Sequence, residues 1–279
     1  MKVFIKKHSF GAGLWIYRGY YLAWKARGFE PVFYEKISDI TESKDFYLMA
    51  IDADVNKNNL DVLKRSKTTF LYVQPNRYPL PWGSHPNFQC LCPDEMIFEI
   101  NKLENVRQWS FGETIPELFY KWKNPQTMLL AFDSISYSGK YVKHNFDYDV
   151  CFIGGRANNG FDEKIKIMND FLLELNKTSL KYGFFIDKRL SHEEECSVLY
   201  TSKVGINLHD NYQRVLGLDI NERTFKVLGT TGVLVSDRVK CLEKTFPTVP
   251  SSSNPKEMIE MILNYLNLSK DELESIQEM

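Results

Sequence analysis

Asp219-Ile-Asn-Glu-Arg-Thr-Phe-Lys-Val-Leu-Gly-Thr-Thr-Gly-Val-Leu-Val-Ser-Asp237 reads as a capped helix that passes through Thr and Gly into a short apolar strand. Asp219, followed three residues later by Glu222, forms a capping pair for a helix starting near Ile220. The helix stops near Gly229, and Val233-Leu-Val235 has the continuous apolar character of a strand buried in a parallel sheet. Such a helix turns its unpaired first-turn amides and the positive end of its dipole outward, where a phosphate can sit. Arg223 lies one turn in and Lys226 follows on the same face, and both add positive charge. The spacing of Glu222 and Lys226 fits an ordinary i,i+4 surface pair equally well.

Around this run the second half of the chain alternates strands and helices. Tyr148-Asp-Val-Cys-Phe-Ile153 predicts a strand, Gly154-Gly-Arg-Ala-Asn-Asn-Gly160 a turn, and Asp162 to Leu175 a helix with Ile165, Met168, Leu172 and Leu175 on one face. Tyr182 to Ile186 and Val204-Gly-Ile-Asn-Leu208 read as strands. Ser191-His-Glu-Glu194 and Ser269 to Glu272 are capping boxes, and Asn254-Pro255 opens a helix to about Leu266. The first half has the same grammar. Val3-Phe-Ile5 leads through His8-Ser-Phe-Gly-Ala-Gly13 into a helix from Leu14 to Arg27, stopped by Gly28. Strands follow at Val32 to Tyr34, Phe46 to Ile51 and Thr69 to Val73, with a helix at Leu60 to Arg65. Pro75 to Pro93 is mostly loop, with one further candidate strand at Phe88 to Leu91. Such alternation implies parallel sheets with right-handed crossovers. A stretch of weak periodicity from Asn124 to Asn145 separates the halves, giving domains at 1–140 and 141–279. The final helix is a candidate to pack back on the first domain. The fold class expected is α/β, with two Rossmann-like parallel-sheet domains facing across a cleft.

The chain has 279 residues, enough for two cores, with 43% hydrophobic and 25% charged residues. A formal net charge of -1 gives no global basic field, so any nucleic-acid contact must come from a local patch. Five cysteines at irregular spacing suit a reducing compartment. Cys90-Leu-Cys92 lacks the spacing and the histidines of a zinc site. The N-terminal apolar core is too short for a signal sequence, and no apolar run reaches the length of a membrane span, so a cytoplasmic protein is expected.

Open α/β sheets bind ligands beyond the carboxyl ends of their strands. In the second half those ends carry Gly155 and Arg156, Lys188 after Asp187, His209, and the run from Asp219. Gly155 lets backbone approach a ligand and Arg156 offers a fork for phosphate, while His209 could meet a ribose or phosphate or serve as a structural hydrogen-bonder. In the first half they carry His8, Gly11, Asp52 and Asp54. Asp52-Ala-Asp54 and Asp147-Tyr-Asp149 both match a DxD pattern, which is too short to be specific for a divalent ion. The helix from Leu14 holds Trp15, Tyr17, Tyr20, Tyr21 and Trp24 among bases, with packing against the sheet as the default and base or sugar stacking as the alternative.

Three stretches carry a family resemblance: Tyr148-Asp-Val-Cys-Phe-Ile-Gly-Gly, Val204-Gly-Ile-Asn-Leu-His, and Asn221-Glu-Arg-Thr-Phe-Lys-Val-Leu-Gly with the strand that follows. They resemble GT-B glycosyltransferases of the spore-maturation CgeB-like group, chiefly in Asn221-x-Arg223-x-Phe225. The resemblance implies a nucleoside-diphosphate sugar, a UDP-sugar foremost, held by the second domain, an acceptor on the first, and no obligatory metal or further cofactor. Donor contacts are then expected at Gly11, Gly155, Arg156, Lys188, His209, Asp219, Asn221, Glu222, Arg223, Thr224 and Lys226. A base is needed to take the acceptor proton if the sugar carbon is inverted, and His8, Asp52 and Asp54 are the candidates. The chain departs from the group at Lys226, where such enzymes carry a glutamate that holds the donor. Either Glu222 or Asp219 takes over that contact or the donor sits differently, and retention or inversion stays open. The acceptor is unknown, with DNA bases as in viral glucosyltransferases one possibility. A sugar-nucleotide epimerase and a non-catalytic nucleotide-sugar binder or assembly protein are the alternatives.

Overall fold

The computed structural model describes residues 1–8, 11–84, 88–156 and 163–278. By internal contacts the chain divides into Met1–Leu129 and Leu130–Met279, each built on its own parallel sheet.

The first unit runs β1 (Lys2–Lys6), α1 (Gly11–Ala26), β2 (Glu30–Tyr34), β3 (Tyr47–Ile51), α2 (Leu60–Arg65), β4 (Thr68–Tyr72), α3 (Asp94–Asn101), β5 (Val106–Ser110) and β6 (Gln126–Thr127). Its six strands are all parallel, in the order β2-β1-β3-β4-β5-β6. The order reverses between β1 and β3, so their carboxyl ends form the switch point where such sheets bind ligands. Strands buried on both faces explain the apolar runs: Phe4, Leu48 and Leu71 face one core with Ile97 and Ile100 of α3, and Val3, Ile5 and Met49 face the other. The aromatic stripe of α1 belongs to this second core. Tyr17 is buried there with Trp109, and Tyr20, Tyr21 and Trp24 pack against them, which leaves core packing as the role of the stripe. Phe88 to Leu91 forms no strand. Its Cys90 thiol instead lies 3.8 Å from Asp52 Oδ2.

The second unit runs β7 (Val150–Gly154), α4 (Glu163–Leu175), β8 (Tyr182–Ile186), α5 (His192–Thr201), β9 (Val204–Asn207), α6 (Asn211–Leu216), α7 (Glu222–Thr230), β10 (Leu234–Ser236), α8 (Lys240–Thr245), α9 (Pro255–Leu266) and α10 (Lys270–Glu278). Its parallel sheet has the order β10-β9-β7-β8, with the reversal between β7 and β9. Met168, Phe171 and Leu175 of α4 and Met258, Ile259 and Ile262 of α9 bury one face of the sheet. Cys196 and Leu199 of α5 and Val227 of α7 pack with Leu234 at another cluster, which Tyr137, Phe132 and Tyr141 join. That packing ties the segment after Leu129 to the second unit. Leu273 of α10 packs against the second unit's own core. Among the described residues no helix is long and apolar enough to cross a membrane.

The capping boxes at Ser191 and Ser269 and the Asn254-Pro255 start are all present. The cap of α7 differs from expectation. It is Asn221, whose Oδ1 accepts from the Thr224 amide, while Asp219 lies two residues outside the helix. Asparagine prevails because its side-chain amide also pairs with Asn207, a contact that an aspartate at 219 does not reach.

Candidate functional site

The carboxyl ends of β7 and β9 meet the first turn of α7 at one polar knot. Asn207 and Asn221 exchange two amide hydrogen bonds, Asn207 Nδ2 to Asn221 Oδ1 at 2.9 Å and Asn221 Nδ2 to Asn207 Oδ1 at 3.1 Å. Asn207 Nδ2 also donates to Thr224 Oγ1 at 2.7 Å. Arg223 Nη1 donates to Asn207 Oδ1 at 2.8 Å and Arg223 Nε to the Ile153 carbonyl at 2.6 Å. The guanidinium carbon lies 4.5 Å from the centre of the Phe152 ring. Burial lowers the Arg223 pKa, opposed by Glu222, Asp210 and Asp237. The Nη2 edge lies over Gly154, where a Cβ would overlap it, so glycine here makes room for the guanidinium. Backbone and ring thus fix the orientation of Arg223 and leave Nη2 at the strand ends.

His209 is wholly buried. Its Nδ1 donates to Asp237 Oδ1 at 2.7 Å and its amide to Asp237 Oδ2 at 2.9 Å, while its Nε2 lies 3.2 Å from Asn207 Nδ2, whose two N–H groups meet the closer Asn221 and Thr224 oxygens. The ring ties β9 to the end of β10 and, with no exposed side-chain surface, is closed to a ribose. Thr224, with no exposed surface, and Asn221 likewise serve the knot. Lys226 points elsewhere. Its ammonium lies 3.0 Å from Glu195 Oε1 of α5 and 4.9 Å from the centre of the Tyr137 ring, while Tyr137 Oη donates to Glu195 Oε2 at 3.0 Å. Glu222 is 3.9 Å from Lys226, so the i,i+4 pair exists, but the closer partner is Glu195.

Gly155 and Arg156 follow β7. The Arg156 amide donates to Asp187 Oδ1 at 3.0 Å and its Nε to Oδ2 at 2.9 Å, which holds the Asp187 carboxyl below the usual range and leaves Arg156 exposed. Lys188 is exposed beside them; residues 157–160 of the glycine turn and Asp162, where its helix was expected to begin, lie outside the described residues. Lys164 of α4 is a member that sequence reading passed over. It is buried, its Nζ is 2.6 Å from Asp210 Oδ1, and burial lowers its pKa against the pull of Asp210. Asp219 accepts from Tyr212 Oη at 3.4 Å through Oδ2, its Oδ1 is buried, and the Gln213 side chain also acts on the carboxyl. Burial raises its pKa to about 6.

In the first unit, His8, Asp52 and Asp54 gather at the switch point. Asp52, at the end of β3, accepts the Ala53 amide at 2.7 Å and the Gln74 amide at 2.9 Å, tying the strand end to the exit of β4. Asp54 pairs with Lys6 at 2.7 Å. His8 lies against the Tyr17 ring, 4.2 Å between centroids, and close over Gly13 of α1. Its Nε2 is buried with no hydrogen-bond partner, and burial, then Lys6, lowers its pKa while Asp54 raises it. The imidazole is therefore neutral near pH 7 with one nitrogen open to a proton. Gly11 opens α1 at φ +63°, and residues 9 and 10 lie outside the described residues. Among the described residues no three His, Cys, Asp or Glu side chains are grouped to hold a metal ion.

Asp52 also links stability to pH. Burial, its largest influence, raises its pKa from 3.8 to about 6. Between about pH 4 and pH 6 the folded chain keeps a proton that the unfolded chain has lost, so this carboxyl lowers stability as pH rises through that window. Asp52→Asn removes the titration. Its stability relative to the natural protein, from urea unfolding, should rise by up to about 3 kcal/mol between pH 4 and pH 6.5. A pH-independent difference would show that burial does not hold the proton.

No protein-family model matches the chain, and no curated protein matches it in sequence. Solved structures do match. An alpha-glucosyltransferase in complex with UDP and a 13-mer DNA containing an HMU base superposes at TM-score 0.60 with 13% identity, over 99% of this chain and 93% of that one. T4 phage BGT in complex with its UDP-glucose substrate gives 0.52 and 10%, over 99% and 93%. An alpha,alpha-trehalose-phosphate synthase (UDP-forming) from Burkholderia vietnamiensis gives 0.56 and 9%, over 87% and 68%. The chain has the fold of GT-B glycosyltransferases, two parallel-sheet α/β domains.

Proposed function

We propose that this chain is a glycosyltransferase, of the hexosyl type, that uses a nucleoside-diphosphate sugar, a UDP-sugar foremost, and needs no metal ion. The observation that carries the reading is Arg223, oriented by Ile153, Asn207 and Phe152 so that its Nη2 edge meets the carboxyl ends of β7 and β9 at the amide end of α7. A rigid guanidinium and a helix N-terminus suit a diphosphate and stabilise it as it departs, with Arg156 and Lys188 as further cations. Asp219, partly exposed between α6 and α7, takes the ribose, its carboxylate accepting a hydroxyl. Its carboxylate thereby assumes the role that the CgeB-like group gives to the glutamate replaced by Lys226, and kinship with that group is part of the proposal. His8 is the base that takes the acceptor proton, and Asp54 its nearby charge.

A thermal-shift screen across UDP, GDP, ADP and TDP sugars tests the donor, with UDP sugars expected to stabilise the fold selectively. His8→Gln should leave that shift intact and slow turnover by about 100- to 10,000-fold. Full turnover in His8→Gln would remove histidine from the mechanism, and the absence of UDP release with every acceptor and with water would leave only a binding protein. DNA is the acceptor we propose to test first, since one structural neighbour is bound to UDP and DNA together. Labelled sugar from the donor should then enter duplex DNA, with binding that weakens steeply as salt rises.

A further inference from the structure

Behind Arg223 stands a chain of buried groups that reaches from the end of β10 to the guanidinium. Asp237, His209 and Asn207 are at most 2% exposed. Asp237 Oδ1 lies 2.7 Å from His209 Nδ1, and its Oδ2 accepts the His209 amide at 2.9 Å. A carboxylate only accepts, so Nδ1 carries the proton and Nε2 is left as a lone pair. That nitrogen faces Asn207 Nδ2 at 3.2 Å, while Asn207 Oδ1 is turned away to Arg223 Nη1 at 2.8 Å and to Asn221 Nδ2 at 3.1 Å. The Asn221 and Thr224 oxygens meet the two N–H groups of the Asn207 amide and hold it the same way.

Each step of this chain constrains the next. An N–H on Nε2 would point at the Asn207 amide nitrogen, donor against donor, whereas a lone pair suits the positive edge of that amide. The amide therefore keeps its oxygen toward Arg223, which spends Nη1 and Nε on fixed acceptors and has one direction left for Nη2. Asp237→Asn would reverse the order. The Oδ2 place takes the backbone amide of His209 and lies 3.6 Å from Arg214 Nε, so it must keep the oxygen. The new amide nitrogen then falls beside Nδ1, which has to accept, and the ring proton moves to Nε2. Meeting that proton requires Asn207 to turn Oδ1 to it, which takes the oxygen from Arg223 and Asn221. A buried donor left unmet is costly enough to force the turn.

We infer that Asp237 is a positioning residue for the proposed donor site: it fixes the tautomer of His209, the tautomer fixes the Asn207 amide, and the amide aims Arg223 at the phosphates. The affinity part of this inference rests on the donor reading of Arg223 given above, while the ring and guanidinium parts do not. The ring-nitrogen resonances of His209 and the exchange of the Arg223 Nε proton with water, read beside UDP affinity from calorimetry, test it on the whole chain. The natural protein should show a proton on Nδ1, none on Nε2, and a protected Arg223 Nε proton. Asp237→Asn should move the ring proton to Nε2, speed exchange at Arg223 by about tenfold or more, and weaken UDP binding by about tenfold or more. Asn207→Ala breaks the chain one step later and should loosen Arg223 to the same degree while His209 keeps its proton on Nδ1. A general loss of packing would not produce that pattern, and this variant carries the test if Asp237→Asn does not fold. A proton on Nε2 in the natural protein, or unchanged Arg223 exchange and UDP affinity in the variants, would overturn the assignment. If the natural protein had the expected ring and guanidinium signature and bound no UDP, the donor reading would fail and the positioning would stand.

Discussion

Arg223→Lys should remove most of the stabilisation of this protein by a UDP-sugar while leaving the chain folded. The guanidinium is planar and stacked on Phe152, and it spends Nε and Nη1 on Ile153 and Asn207 so that Nη2 is aimed at the strand ends. Lysine keeps the charge but cannot stack, fork or hold two partners while contacting a third. Loss of the aimed contact to a diphosphate corresponds to about 2–3 kcal/mol, roughly 30- to 150-fold in affinity. At a ligand concentration about 100 times the natural Kd, binding contributes about 2.7 kcal/mol, a shift of roughly 5–10 °C for a domain of this size, and about two thirds to nine tenths of it should vanish in the variant. Gly154→Ala provides the same test from outside, since its Cβ would displace Nη2 without touching the charge. Retention of the full shift in both variants would place the donor elsewhere.

The legible parts of this protein were those written in local chemistry. Capping residues at Ser191, Asn254 and Ser269 mark helix starts because each bond they form lies within three residues. The apolar strands of both sheets were visible because they are buried on both faces. Val106-Arg-Gln-Trp-Ser110 was not, since a strand whose buried positions include Gln108 and Ser110 shows no apolar run. At the candidate site, the sequence is silent wherever a residue's surroundings are set by a distant partner. Lys164 looks like one more charge on an amphipathic helix, and only the fold brings it to Asp210, 46 residues on. For His209 the sequence leaves a ligand contact and a structural role both open because Asp237 is 28 residues away. Arg223 lies in the first turn of α7, and the devices that aim it, a ring on β7 and an asparagine on β9, are tertiary.

The same limit governs Lys226, the residue at which the chain departs from the group it resembles, and a charge series there should have the largest effect on stability. Lys226 and Glu195 have 14% and 9% of their side chains exposed, and Tyr137 closes the pair from the other side. Removing one partner of a buried pair leaves the other charge without compensation, at about 3–5 kcal/mol. Lys226→Met should therefore lower the melting temperature by roughly 6–20 °C. Lys226→Glu should be worse, because it sets a second carboxylate beside Glu195 in a region shielded from water. Lys226→Met combined with Glu195→Leu should recover most of the loss, since replacing both ions with apolar groups is often neutral. If Lys226→Glu proved as stable as the natural protein and bound the UDP-sugar more tightly, the ion pair would be incidental and the lysine would belong to the donor site. The expected order, double variant above Lys226→Met above Lys226→Glu, would instead show that Lys226 and Glu195 act as one unit that joins α7 to α5, with the lysine committed to that pair rather than to a donor.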